Sequence, residues 1–374
     1  MKNLLKSTSA LGVGVLAAGT VALTAGNASA AEKMKIGISG DMKFVVAYAN
    51  QDSKYEDAVG HYGTINAVND SEIHFSGSTT LDNGITASVM VELETDQSFA
   101  NTGSVLDETY LKLTGGFGDL RMGSTKAATD TMANFGPVSG PIDHFDNSLE
   151  IYVPNPTGTA TPDTDIGASD AMKIAYFTPV IEGFQLGTSY TPSESNTDNV
   201  PLTGGNSAAA GTADQYQADV AISFERKLGE VDVAADGSYW VKGGTTDQEG
   251  YRFGGKFGFS GFTVGGSYAS IDNTIGGITA TTAVSDYTAY DAGIGYATGA
   301  VKMSFAYNHT DSPRASGTAG SDTASLYVLG AGYNLGPGID LLGSLFRADY
   351  GDETTTASLN NDAWGGIAAI KVSF

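Results

Sequence analysis

Cysteine is absent from the 374 residues, which removes a disulfide framework, a thiolate zinc centre and a thiol nucleophile from consideration. Bases are scarce, with 19 Lys and Arg against 42 Asp and Glu and a formal net charge of −23. That balance argues against nucleic acid, whose partners need clustered Lys and Arg, and against docking on an anionic membrane surface. No stretch of 18 consecutive apolar residues follows the N-terminal segment, so a transmembrane helix is not expected. Proline occurs only 10 times, and its few positions carry information used below.

What is present begins with export. Lys2 and Lys6 precede an apolar stretch from Ala10 to Ala25 that stops at Asn27-Ala28-Ser29-Ala30. This is the pattern of a signal peptide over residues 1–30, cleaved after Ala30, leaving 31–374 as a single domain. An exported chain of this size without disulfides needs another source of stability, and closed strand pairing is one.

Alternation then dominates. Ile36, Ile38, Met42, Phe44, Val46 and Tyr48 share one parity while Lys35, Ser39, Asp41 and Lys43 take the other. Similar period-two stretches run through 85–94, 216–225 and 301–308. A period of two is a strand with one apolar and one polar face. About sixteen strands are expected, at 35–49, 72–81, 85–95, 107–115, 118–126, 171–178, 183–191, 214–226, 230–242, 249–259, 261–271, 286–298, 300–310, 323–335, 339–350 and 362–374. Their connections alternate between very short, as at Asp82-Asn83-Gly84 and Gly336-Pro337-Gly338, and long. Short turns on one rim and long loops on the other are the layout of a bacterial transmembrane barrel. Proline cannot donate to a strand ladder, and every proline falls in a proposed connection. Tyr216 and Phe224, on one face and about 26 Å apart along a strand, suit two interfacial girdles. The last strand carries Trp364, Ile370, Val372 and Phe374 on one face, fitting a lipid-facing closing strand. The fold class expected is all-β, a sixteen-stranded antiparallel transmembrane barrel.

Four stretches make a resemblance specific. EIHFSGSTTLDNGITASVMVELE (Glu72–Glu94), LDETYLKLTGGFGDLRMGSTKAATD (Leu106–Asp130), MKIAYFTPVIEGFQLGTSYTP (Met172–Pro192) and the terminal IKVSF occur in order. They resemble successive hairpins and the final strand of the Gram-negative general porins, closest in style to those of α-proteobacteria. The resemblance covers most of the chain apart from its external loops. It implies an outer-membrane, water-filled barrel, usually a homotrimer embedded in lipid and lipopolysaccharide, that passes ions and small hydrophilic solutes. It also implies that the third external loop, here 127–170, folds inward as a constriction.

The loop from Ala127 to Asp170 is the longest connection and carries Asp130, Asp143, Asp146, Glu150, Asp163, Asp165 and Asp170 with only Lys126 at its edge. Parity puts Lys35, Lys43, Lys112, Arg121, Arg347 and Lys371 on the opposing inner wall. An acidic side of Asp143, Asp146 and Glu150 against a basic side of Lys43, Lys112, Arg121, Arg347 and Lys371 would create a transverse field across the pore. With so few bases overall, mild cation preference is expected. Gly255, Gly266 and Gly330 are assigned to the outward parity, where a neighbouring subunit could approach.

Other functions have weaker support. The histidines are His61, His74, His144 and His309, none with a nucleophile at diagnostic spacing, and no Gly-x-Ser-x-Gly elbow opens a helix; no enzyme is expected. No cofactor is required. Asp163, Asp165 and Asp170 offer oxygen ligands spaced like the start of a calcium loop, though the pattern is incomplete, so a structural calcium ion is one reading. A substrate-specific channel with a binding track remains an alternative; Trp240 and Tyr110 point inward by parity, but two residues do not make an aromatic ladder. An exported β-rich adhesin is the other, but no fixed repeat period supports a solenoid.

Overall fold

The computed structural model describes residues 34–61, 63–95, 106–156, 159–167, 170–193, 216–243, 247–275, 286–313 and 320–374. The signal-peptide segment lies outside these residues. Sixteen antiparallel strands form one closed barrel. They are β1 (Lys35–Asn50), β2 (Ile65–Thr80), β3 (Thr86–Glu94), β4 (Leu106–Gly115), β5 (Gly118–Ser124), β6 (Met172–Phe177), β7 (Phe184–Thr191) and β8 (Tyr216–Leu228). The second half comprises β9 (Val231–Gly243), β10 (Asp247–Phe259), β11 (Phe262–Ile275), β12 (Tyr287–Thr298), β13 (Val301–Pro313), β14 (Ser321–Gly336), β15 (Ile339–Gly351) and β16 (Asn361–Ser373). Two short helices, α1 (Ser53–Val59) and α2 (Ala128–Thr131), sit in long connections.

Each strand pairs with its neighbours in sequence, and β1 pairs β16 to close the sheet. Lys43 stands opposite Lys371, and Phe44 opposite Ile370. Beyond the ladder, the backbone N–H of Gly40 donates to Phe374 O at 3.0 Å, and that of Phe374 donates to Gly40 O at 3.0 Å. Closure matters because an unpaired backbone group in hydrocarbon costs several kcal/mol.

One parity of nearly every strand is apolar and exposed, including Phe44, Phe253, Phe257, Val264, Leu345 and Trp364. On the described residues no helix is long and apolar enough to cross a membrane; the crossing elements are strands. The tight turns lie on one rim. Between β12 and β13 the chain reverses at Gly299, whose φ of 56° lies in the left-handed region that glycine enters without steric cost. Outward rings pair between strands, as in Phe184 with Phe224 at 4.7 Å and Tyr190 with Tyr216 at 6.3 Å.

Several expectations shift. β2 starts at Ile65 rather than at residue 72, because Asn69 and Ser71 occupy outward positions and blur the alternation. Pro313 is the last residue of β13, where a missing donor costs least. Gly330 faces inward, with its Cβ position 2.7 Å from Gly140 N, and so leaves the outward set that keeps Gly255 and Gly266. Arg347 is also corrected. It stands opposite the outward Trp364 and Tyr327 and is exposed between buried Phe346 and Ala348, so it does not belong to the inner basic wall.

Candidate functional site

Residues 125–171 connect β5 to β6 and follow the inner parity of the barrel over much of its circumference. At the start, the N–H of Ala128 donates to Ser189 Oγ on β7 at 3.3 Å, and that of Thr129 to Asp219 Oδ1 on β8 at 3.3 Å. Met132 and Ala128 bury against Ala175, Phe177 and Ala221. The next contact is an ion pair beneath the chain. Asp236 Oδ1 accepts from Asn134 N at 2.8 Å, while its Oδ2 accepts from Arg252 Nη1 at 2.6 Å. Arg252 also donates to Asn134 O and lies 4.2 Å from the centre of the Phe135 ring. Arg252 and Asp236 side chains are 1% and 2% exposed, a desolvation that their mutual pairing and the bonds to Asn134 offset.

Further on, Asp291 of β12 gathers the segment to itself. Its Oδ1 accepts from Gly136 N at 2.5 Å and meets His144 Nε2 at 3.2 Å, and its Oδ2 accepts from Thr164 Oγ1 at 3.3 Å and from Ser267. The acid therefore sits between serine and histidine. A nucleophilic triad needs the histidine in the middle, so this constellation anchors rather than attacks. Phe135 and Phe145 stack at 4.0 Å with planes 5° apart.

The segment then crosses to the opposite side, where Ile142, Leu149, Tyr152 and Val153 bury against Val45, Ala47, Leu326, Val328, Phe346 and Ile367 of β1 and β14–β16. Tyr350 OH donates to Asn155 Oδ1 at 2.7 Å. Returning, Asp163 N donates to Thr310 Oγ1 at 3.3 Å, and Ile166 covers Trp240 and Ala269. Trp240 is thus a covered core residue and not part of an open aromatic track.

Among the described residues no such cover reaches most of the inner face of β2–β5. There Glu72, His74, Ser76, Glu92, Tyr110, Lys112 and Arg121 remain partly open. Lys112 stands opposite Arg121, whose guanidinium lies 4.7 Å from the Phe177 ring centre and 6.0 Å from that of Tyr110. Lys35, Ser76, Ser78, Ser88, Tyr110 and Lys112 line one polar trough of about 410 Å³.

The charges expected at a constriction distribute as follows. Lys43 is ion-paired with Asp70, and Lys371 with Asp41 at 2.9 Å. Asp143 faces Lys43, His144 and Lys371, and burial raises its carboxyl above the ordinary range despite the two lysines. Burial, together with Asp165 and Asp143, pushes Asp146 up to about 6. Glu150 accepts from Asn147 Nδ2 at 2.8 Å. Asp143 and Lys43 are therefore brought together, whereas Lys112 and Arg121 lie farther along the bare wall.

The three acids expected to hold calcium do not converge as a trio: Asp165 N donates to Asp163 Oδ1 at 2.7 Å, but Asp170 stands apart from both. Asp163 forms a bridge with Asp146, and Asp165 lies beside Asp130, where burial and that second acid hold Asp130 well above the usual carboxylate range. Asp170 lies instead beside Glu108 and Lys126. Among the described residues the groups with metal-holding geometry are elsewhere: Glu72, His74 and Glu92; Glu72, Glu94 and Asp107; and Asp322, Asp352 and Glu353. Glu72 and His74 are two residues apart and share a strand face by parity, whereas Glu92 joins them only through the β2–β3 register, which the sequence does not display.

A closed, apolar-coated barrel of sixteen strands, with a long connection spread over its inner face, defines an outer-membrane β-barrel of the porin class. The Gram-negative porin family matches residues 15–353, most of the chain, and the protein belongs to that family. It is a family of non-enzymatic channels of the outer membrane. No match was found among curated proteins. Solved structures share the fold. An anion-selective porin from Comamonas acidovorans is 19% identical with a TM-score of 0.63, covering 91% of this chain and 100% of its own. In vitro folded OmpT of Vibrio cholerae in its trimer form is 12% identical with a TM-score of 0.61, covering 92% and 100%. A mutant Rh. blastica porin is 18% identical with a TM-score of 0.56, covering 91% and 100%.

Proposed function

We propose that the protein is a diffusion channel for ions and small hydrophilic solutes, mildly cation-selective, whose pore runs between residues 127–170 and the inner wall of β1–β5. The observation that carries this reading is the footprint of the long segment, which lies along inner-parity side chains from β6 round to β1 and leaves β2–β5 bare. The acidic side is Asp143, Asp146 and Glu150. The basic side is Lys43, Lys112, Arg121 and Lys371, without Arg347. Because Lys43 and Lys371 are already paired with Asp70 and Asp41, the local field is weaker than a free basic arc would give. This favours cations in a chain of net charge −23, unlike the Comamonas porin, which is described as anion-selective.

Assembly as a homotrimer completes the reading. The outward face of β2–β5 carries one aromatic, Phe75, beside Asn69, Ser71, Ala87 and Thr109, while β8–β14 present Tyr and Phe on nearly every strand. Interfacial aromatics mark contact with lipid, so their depletion marks the arc turned toward neighbouring subunits.

Planar-bilayer recording tests both parts. Currents should appear in groups of three steps, and the reversal potential in a salt gradient should indicate cations. Anion selectivity, or an unchanged reversal potential in the variant carrying Asp143→Asn and Asp146→Asn, would overturn the charge assignment. Single isolated steps would overturn the trimer.

A further inference from the structure

We propose that Glu72, His74 and Glu92, on the inner face of β2 and β3, form a binding site for a divalent transition-metal ion of the Zn²⁺ type, bordered by Glu94 and Asp107. The argument begins with sheet geometry. Glu72 and His74 are two residues apart on β2, so they share a face, and the β2–β3 register sets Glu92 directly opposite His74 and Glu94 directly opposite Glu72. Directly opposed residues have Cβ atoms about 5 Å apart, which lets an imidazole and two carboxylates converge from a rigid backbone. Here they do: one ligand atom from each of Glu72, His74 and Glu92 lies within 4.8 Å of the others, and His74 Nε2 is 2.8 Å from Glu72 Oε2. Glu72 is shared with a second group, Glu72, Glu94 and Asp107, of the same compactness.

Charge sharpens the case. Like charges directly opposite one another destabilise a strand pair, yet Glu72 faces Glu94. The nearby bases are committed elsewhere, Lys43 to Asp70 and Lys371 to Asp41. Among the described residues Lys126 faces this region, and it faces Glu92, Asp107, Glu108 and Asp170 together. A bound dication would offset that excess.

Donor chemistry selects the ion. Zinc accepts imidazole nitrogen and carboxylate oxygen at roughly 2.0–2.2 Å with three protein ligands and open positions for water, and imidazole favours zinc, copper, nickel or iron over magnesium or calcium. The side chains of His74 and Glu72 are 25% and 32% exposed, so an ion can reach them from the solvent, replacing the hydrogen bond between His74 and Glu72 as the carboxylates swing in. The all-carboxylate trio Asp322, Asp352 and Glu353 lacks an imidazole and serves as an internal contrast.

Isothermal calorimetry of the detergent-solubilised full barrel with ZnCl₂ tests the site without any current measurement, so a negative result here is distinct from failure of the channel reading. The wild type should bind one zinc ion per chain, and a hundredfold excess of Ca²⁺ should not displace it. His74→Ala and, separately, Glu92→Gln should each weaken binding at least tenfold, while Glu230→Gln in the β8–β9 turn leaves it unchanged. Retained β-sheet circular dichroism and heat-dependent gel mobility establish that each variant is folded. Absence of zinc binding, displacement by Ca²⁺, or unchanged affinity in both site variants would overturn the proposal.

Discussion

The barrel wall under residues 127–167 and the wall of β2–β5 belong to one sheet but carry different inner faces. Under the segment many inward positions are alanine: Ala175, Ala221, Ala269, Ala289, Ala306, Ala324 and Ala348 are at most 2% exposed, and the charged ones among them, Asp219, Asp236, Arg252 and Asp291, bond to the segment itself. On β2–β5 no inward position of the strands is alanine, and Glu72, His74, Glu92, Lys112 and Arg121 stand there instead. A wall that must receive a second layer of chain keeps many side chains short and engages the long ones in that layer, as with Trp240 and Arg252, whereas a wall that meets water keeps them long and charged. The size of the inward residue thus records where the inner cover lies.

The largest test of this contrast is the fate of ion pairs on the two walls. Arg252→Ala would leave Asp236 buried without its cation, a loss of about 3–5 kcal/mol, and should release residues 134–136 from the wall. Lys371→Ala removes a partly exposed pair and should cost about 1 kcal/mol or less. Thermal unfolding of the two variants in detergent reads the difference, and equal shifts would erase the distinction between the walls.

Overpacking gives a smaller contrast. Ala289→Phe forces a ring beneath the segment and should cost about 1–3 kcal/mol, seen as a lower unfolding temperature. Ser88→Phe adds the same ring to the bare wall, where it should reduce single-channel conductance while leaving the unfolding temperature nearly unchanged. Conductance lowered more by Ala289→Phe than by Ser88→Phe would move the water path to the other wall.

The mildest test is pH. Burial and neighbouring acids raise Asp146 to about 6, above its unfolded value near 4. Between those values the native state binds more protons than the unfolded one, so stability declines as pH rises through the window. Unfolding temperature should be higher at pH 5 than at pH 7, with a shallower slope in Asp146→Asn. Cation preference should weaken over the same interval as pH falls. An unchanged slope in Asp146→Asn would remove Asp146 from the account.

These two walls also explain what the sequence discloses. Where polar or small residues hold the inward parity, the alternation is clean, and strands such as β8 and β13 are legible within a few residues even though the segment covers part of both. On β15 the rule that polar residues face inward fails. Leu342, Phe346 and Tyr350 point inward because Ile142, Leu149 and Asn155 cover them, so Leu341, Leu345 and Arg347 are left on the outer parity. Both parities of that strand look apolar, and a lone arginine then gives the wrong side. The acids of the long loop are legible as a set, but their neighbours are not. Which acid of the loop approaches Lys43, or that Asp291 anchors His144, depends on contacts between residues 100 or more positions apart. The run of inward alanines was a usable signal for the covered arc, visible before any contact was known.

The pairing of Gly40 with Phe374 has a kinetic consequence. It joins positions separated by nearly the whole described chain, and long-range closure of this kind carries a loop entropy that local hairpins do not. The fifteen neighbouring hairpins can form from short-range encounters, but until that last seam zips, the sheet retains two sticky edges. Folding intermediates should therefore be open, curved sheets prone to self-association, and the rate of barrel maturation should depend on how fast the two end strands find one another.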